Sequence, residues 1–117
     1  MLRIMCIAKI HGATVTQTEL HYQGSITIPA ELLRTARMLP NERVQIVNLN
    51  SGSRIETYII EGPEGSGDIC LNGPAALKGS VGDRIHILCY ALMSEEEARS
   101  ALLNVVHVDE ANRVVEG

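Results

Sequence analysis

A glycine followed directly by a serine, as in Gly24-Ser25, can break its own peptide bond if the surrounding chain holds it in the right shape. The serine hydroxyl lies one atom beyond Cβ, within reach of the carbonyl carbon of the residue before it. The attack needs an unusual backbone, and glycine tolerates φ/ψ values that other residues avoid. An N→O acyl shift converts the Gly24-Ser25 amide to an ester, and β-elimination breaks the ester. Hydrolysis of the resulting dehydroalanine then leaves a pyruvoyl group on the new N-terminus. A pyruvoyl carbonyl is an electrophile that no ordinary side chain provides. The same dipeptide is also a common turn, and Gly65-Ser66 and Gly79-Ser80 are internal controls. The surroundings, His21-Tyr22-Gln23 before and Ile26-Thr27-Ile28 after, must decide.

Other side chains suit the chemistry such an electrophile would serve. From Leu2 to His11 the residues alternate, so Lys9 and His11 project from one face of an extended strand and Ala8 and Ile10 from the other. In the segment Arg54–Glu61, Arg54 and Tyr58 share a face and Thr57 points to the opposite one. Arg54 offers a planar fork for a carboxylate and Lys9 a mobile point charge. Read singly, both are solvated strand charges. His11, His21, His86 and His107 lack metal-ligand spacing, and no metal is expected. Cys6, Cys70 and Cys89 are odd in number, lack a CxxC pair and lie in apolar runs. They read as buried free thiols in a reducing cytoplasm.

The elements that must position these residues are mostly strands. At 117 residues the chain is one domain, residues 1–117. Trp and Phe are absent and only three Tyr are present, so Ile, Leu, Val, Ala and Met must build the core. Fourteen acidic against ten basic side chains give a net charge of −4, which argues against nucleic-acid binding. No apolar run is long enough to span a membrane, and no signal peptide is expected. Strands are read at Leu2–His11, Val15–Tyr22, Val44–Asn48, Arg54–Glu61, Ile69–Leu71 and Arg84–Leu92. Pro29 opens a helix with Leu32, Leu33 and Ala36 on its apolar side, ending near Met38 before Pro40. Asn50-Ser51-Gly52 is a turn, and residues 62–67 form a loop that lacks the setting of a phosphate-binding one. Ser94 caps a helical turn at Glu95-Glu96-Glu97, and Val105–Val108 pairs with Arg113–Val115 in a terminal hairpin. Many short strands with few helices predict a mainly β barrel.

Six ordered blocks carry a resemblance: Ala8-Lys9-Ile10-His11, Ala13-Thr14-Val15-Thr16, His21-Tyr22-Gln23-Gly24-Ser25, Asn50-Ser51-Gly52-Ser53-Arg54 running on to Thr57-Tyr58, Leu71-Asn72-Gly73-Pro74-Ala75-Ala76, and Val81-Gly82-Asp83. In order and spacing, from about residue 3 to about residue 115, the chain resembles the pyruvoyl-dependent aspartate 1-decarboxylases. Two departures stand out. Gly12 takes the place of the usual arginine, which touches a peripheral or interface contact. Pro74 takes the place of an alanine and removes one backbone donor from the substrate loop.

The resemblance implies a six-stranded double-psi β-barrel with short helices, self-cleaved at Gly24-Ser25 into residues 1–24 and 25–117. It implies decarboxylation of L-aspartate to β-alanine and CO2, feeding pantothenate and coenzyme A synthesis. The cofactor would be the pyruvoyl group made from Ser25, joined to substrate as a Schiff base and replacing pyridoxal phosphate as the carbanion sink. Tyr58 would return the proton to Cα. Lys9, His11, Tyr22, Arg54, Thr57, Asn72, Gly73, Pro74 and Ala75 would bind substrate, with Arg54 holding the retained carboxylate. Relatives are cytoplasmic homotetramers with sites at subunit boundaries, some maturing with a helper protein, and a helper stays open here. Two alternatives also stay open: a decarboxylase of another acidic amino acid such as glutamate, and an uncleaved barrel without enzymatic activity.

Overall fold

A computed structural model describes residues 1–115. The last two residues of the expected piece 25–117 lie outside the described residues. The strands are β1 (Leu2–Thr14), β2 (Gln17–Glu19), β3 (Ser25–Pro29), β4 (Arg43–Asn48), β5 (Arg54–Gly62), β6 (Cys70–Asn72), β7 (Arg84–Ser94) and β8 (Asn104–His107). Helix α1 spans Ala30–Ala36, α2 spans Glu95–Ser100, and Gly73–Lys78 forms a 3₁₀ helix. The strands join in one sheet in the order β2-β6-β3-β5-β4-β7-β1-β8. The chain is thus mainly β, but eight strands stand where six were expected, and the terminal strands β2 and β8 are not paired with each other. Three pairings are parallel (β1 with β8, β2 with β6, β3 with β5) and the rest antiparallel.

The core follows from the composition. Ile10, Ile26, Ile28, Ile59, Ile69, Ile85 and Ile87 are fully enclosed, joined by Leu32, Leu71, Val15 and Val44. β-Branched side chains suit a pleated surface, so they both form the strands and fill the space between them. Helix α1 buries Ala30, Leu32, Leu33 and Ala36. Pro29 precedes its first turn, and Arg37 ends it in the left-handed region (φ 61°), where the Met38 amide donates to the Leu33 carbonyl. The Ser94 cap is a full capping box with Glu97, whose carboxyl is held below its ordinary pKa by these hydrogen bonds.

Two local readings need correction. β1 runs to Thr14 and its pairing with β7 shifts register between Cys6 and Ala8 and again between His11 and Ala13. These irregularities reset the alternation, so Ala8 and Ile10 are buried whereas Leu2 and Ile4 are exposed. The Val15–Tyr22 segment keeps only three residues in a strand, because β6, its one neighbour, is itself three residues long. The chain then turns, with the Tyr22 amide donating to the Glu19 carbonyl. The expected terminal hairpin is present in short form: Val108 bridges Val114 antiparallel, the Asp109 amide donates to the Arg113 carbonyl and the Val115 amide to the His107 carbonyl, while β8 also lies parallel to β1. Gly73-Pro74-Ala75 is the start of a 3₁₀ helix. Proline in its first turn leaves no helical hydrogen bond unmade.

Candidate active site

Ser25 is the first residue of β3 and is fully buried, whereas His21, Tyr22 and Gln23 just before it are exposed. The Gly24-Ser25 bond therefore lies where the chain passes from a surface turn into the core. The Ser25 hydroxyl donates to the Gln23 carbonyl at 3.2 Å and accepts from Asn72 Nδ2 at 2.9 Å. Register delivers that second contact, because β3 and β6 place Ser25 opposite Asn72. The side chain is thus folded back along its own N-terminal backbone, on the side of the peptide it would attack. Gly73 presses against the same segment: at φ 60°, a Cβ there would sit 2.6 Å from the Tyr22 carbonyl oxygen and 2.7 Å from the Gly24 nitrogen. The control pairs lack this setting. A Cβ on Gly65 would meet nothing within 4 Å, the Ser66 hydroxyl accepts from the Asp68 amide, and Ser80 is exposed.

A cavity of about 460 Å³ adjoins Gly24 and is lined by Gly24, Ile55, Glu56, Thr57, Tyr58, Pro74, Ala75 and Lys78. Five of these, Gly24, Thr57, Tyr58, Pro74 and Ala75, are expected site residues, and Asn72 and Gly73 stand directly behind them. Thr57 and Tyr58 both line this cavity although alternation turns them to opposite faces of β5. The first pair between β3 and β5 is Ile26 with Ile59, so upstream of Ile59 that side of β5 has no neighbouring strand. The cavity occupies the missing strand's place and touches side chains of both faces. Ile55, Glu56 and Lys78 were not foreseen. Lys78 had a signal, since residues three apart on a 3₁₀ helix eclipse and Ala75 precedes it by three.

The other expected residues lie elsewhere. Arg54 does share a face with Glu56, but its guanidinium donates to Gln45 Oε1 at 2.8 Å, an atom that also accepts from the Tyr90 hydroxyl at 2.9 Å. That group borders a second cavity, about 350 Å³, lined by Ile4, Arg43, Val44, Gln45, Glu56 and Tyr90. Hydrogen bonds from Arg43 hold the Glu56 carboxyl below its ordinary pKa. Tyr22 stands half exposed in the turn before Ser25. Lys9 and His11 sit on β1, which is separated from β3 by β7, β4 and β5 in the sheet.

His11 belongs to a cluster of its own. It stacks on His86 at 4.0 Å between ring centroids and stands 4.8 Å from His107. His86 Nδ1 accepts from the Gly12 amide at 3.0 Å, and the Arg84 guanidinium donates to the Gly12 carbonyl. Burial, then the charges of Lys9, His107 and Arg84, lower the His11 pKa. Burial, then His11, Lys9 and Arg84, push His86 down to about 4. An unfolded imidazole takes its proton near pH 6.5, so the cluster leaves stability unaffected above that pH. Between about pH 6.5 and 4 the unfolded chain binds a proton that folded His86 refuses, and stability falls as pH falls. We expect the thermal midpoint to drop across this window and the His86 ring protons to titrate near 4 by NMR. Titration of that ring near 6.5 would refute the argument.

Similarity to known proteins agrees with this arrangement. The family model for aspartate decarboxylase matches residues 1–115. The aspartate 1-decarboxylase of Carboxydothermus hydrogenoformans is 54% identical over 115 residues, covering 98% of this chain and 91% of that protein. That of Thermoanaerobacter pseudethanolicus is 52% identical over 115 residues, 98% of each chain. That of Listeria monocytogenes is 53% identical over 114 residues, 97% of this chain and 90% of the relative. With a family model that matches residues 1–115 and likeness to these enzymes over nearly its whole length, the chain belongs to the aspartate decarboxylase family.

Proposed function

We propose that this chain cleaves itself at Gly24-Ser25 and then decarboxylates L-aspartate to β-alanine and CO2, a step toward pantothenate and coenzyme A. The observation that carries the reading is the buried Ser25 hydroxyl, held between the Gln23 carbonyl and the Asn72 amide, next to Gly24, which lines a cavity. In maturation the Ser25 oxygen bonds to the Gly24 carbonyl carbon, the C–N bond breaks and the hydroxyl proton passes to the freed amine. Elimination breaks the Ser25 Cβ–O bond and releases the Gly24 carboxylate. Water then displaces ammonia from the dehydroalanine. The pieces 1–24 and 25–117 stay together because β1 pairs with β7 from Leu2–Ser94 to Thr14–Arg84.

The surroundings fit a pyruvoyl group at position 25: the Asn72 amide donates toward that site and Gly24 opens on the cavity. Such a group, when present, condenses with the substrate amine and takes up the electron pair that CO2 leaves behind. Asn72, Thr57 and the Gly73-Pro74-Ala75 backbone would hold substrate beside it, and Tyr58 would return a proton to Cα. Arg54, Lys9, His11 and Tyr22 do not line the cavity of their own chain. We therefore place them in the site through a homotetramer whose sites lie at subunit boundaries. The exposed Leu2, Ile4 and Leu92 on paired β1 and β7 supply apolar surface for such an assembly. No helix among the described residues is long and apolar enough to cross a membrane. A cytoplasmic setting suits the three free cysteines. We read the mixed sheet as the family's double-psi barrel, a reading supported by its interleaved parallel and antiparallel pairs.

Denaturing mass spectrometry with a β-alanine assay tests the proposal. Two pieces divided after residue 24 and release of β-alanine from aspartate are expected. An intact 12.7 kDa chain without turnover would overturn it, and faster turnover of glutamate would reassign the substrate. Subunit complementation tests the boundary site. Arg54→Ala and Tyr58→Phe should each lose at least about thirtyfold in kcat/KM, the value of one charge-assisted contact. Co-expressed, they should recover about a quarter of parental activity, because sites that draw an intact residue from each variant re-form across the boundary. No recovery would place Arg54 and Tyr58 on one subunit's site.

A further inference from the structure

Four side chains share one face of the β3/β6 pair, and three of them are hydrogen-bonded to the fourth, Asn72. The register sets Ser25 opposite Asn72 and Thr27 opposite Cys70. Residues two apart on a strand share a face, so all four point the same way. Asn72 Nδ2 lies 2.9 Å from Ser25 Oγ and 3.0 Å from Thr27 Oγ1, and Cys70 Sγ lies 3.2 Å from Asn72 Oδ1. Both amide hydrogens of Asn72 are thus assigned, one to each hydroxyl, and its oxygen accepts from the thiol. The opposite orientation of the amide would turn its oxygen toward both hydroxyls and require both as donors. The Ser25 hydrogen is already given to the Gln23 carbonyl, so the orientation shown is the consistent one.

We infer that Cys70 and Thr27 are positioning residues for self-cleavage, acting by locking the Asn72 amide so that it donates to the Ser25 oxygen. With one lone pair of that oxygen held by Asn72 and its hydrogen held by Gln23, the remaining lone pair is left to approach the Gly24 carbonyl. Without the lock the amide swings, and the serine samples rotamers in which attack is impossible. Burial, then the nearby Glu19 and Asp68 carboxylates, raise the Cys70 pKa and keep the thiol a donor. Neither residue touches the reacting bond, and nothing in the local sequence marks either for chemistry. The inference rests on the self-cleavage reading and refines it.

Timing the cleavage of freshly translated chains by denaturing mass spectrometry tests it. Cys70→Ala should slow cleavage about three- to tenfold, the range expected when one neutral hydrogen bond no longer holds the reacting geometry. Cys70→Ser keeps a donor at the same place and should cleave within about twofold of the parent. On the other strand, Thr27→Val should slow cleavage about as much as Cys70→Ala, and Thr27→Ser should restore it. Thermal midpoints taken in a Ser25→Ala background separate loss of stability from loss of positioning. If Cys70→Ala fails to fold, the Thr27 pair answers the same question. Parental rates in Cys70→Ala and Thr27→Val would overturn the inference, as would Cys70→Ser proving as slow as Cys70→Ala. A parent chain that never cleaves overturns the self-cleavage reading itself, whereas a cleaving parent beside equally fast variants overturns only the positioning role.

Discussion

A Ser25→Ala chain folds, remains one polypeptide of 117 residues and releases no β-alanine from aspartate. The substitution removes only the hydroxyl, so the nucleophile for scission and the precursor of the electrophile disappear together. Its structural cost is small. Alanine keeps Cβ in a site that is already fully buried, and Asn72 loses one of two acceptors while keeping Thr27. An amide hydrogen left unsatisfied in a buried place costs about 1–3 kcal/mol, less than the stability of an ordinary domain of this size. The check is intact mass, thermal midpoint and β-alanine production on one preparation. Fragments appearing after residue 65 or 79 would show that another Gly-Ser pair is scissile. Measurable turnover by the uncleaved chain would show that the activity needs no group made from Ser25.

Gly73→Ala should be the most damaging single change outside the reacting dipeptide. Gly73 sits at φ 60°, a region that costs an L-residue roughly 1–2 kcal/mol. The added Cβ would also lie 2.6 Å from the Tyr22 oxygen, 2.7 Å from the Gly24 nitrogen and 2.9 Å from Gly24 Cα. These are backbone atoms, so no side-chain rotation relieves the contact. The turn before Ser25 must move away from the 3₁₀ helix, and the Gly24 carbonyl moves with it. We expect cleavage to slow at least about tenfold, which is a loss of about 1.4 kcal/mol in the transition state. The thermal midpoint should fall by roughly 8–12 °C for a loss of 2–3 kcal/mol. Gly52→Ala is the control: its φ is 77°, but a Cβ there meets nothing within 4 Å. It should carry the backbone strain alone and cleave at the parental rate. Parental cleavage and an unshifted midpoint in Gly73→Ala would mean that the close approach has no part in maturation.

Much of this protein was legible along the chain because its signals are local. Alternation marks β7, where Ile85, Ile87, Cys89, Ala91 and Met93 fall on every second position, and shorter alternating stretches mark β4 and β5. The Ser94 cap acts over three residues, and the turn at Asn50 is closed by Asn48 Oδ1 only two and three positions back. The Gly24-Ser25 dipeptide and the ordered blocks around it are likewise properties of sequence, and family membership follows from them. What sequence could not supply is register between distant strands. Ser25 meets Asn72 across 47 positions, and a slip of one residue would turn Asn72 to the other face. Thr57 and Tyr58 point to opposite faces by alternation, yet both reach one cavity because β3 starts too late to cover that stretch of β5. Lys9 and Arg54 carry the charges an acidic substrate needs, but strand order holds Lys9 away from the Ser25 cavity of its own chain, and Arg54, on the neighbouring strand, is turned to Gln45 instead. Composition and local pattern thus determined which residues the protein owns and which elements they form. Only the pairing of strands far apart in sequence decided which of them meet, because that pairing is set by the packing of the whole isoleucine-rich core.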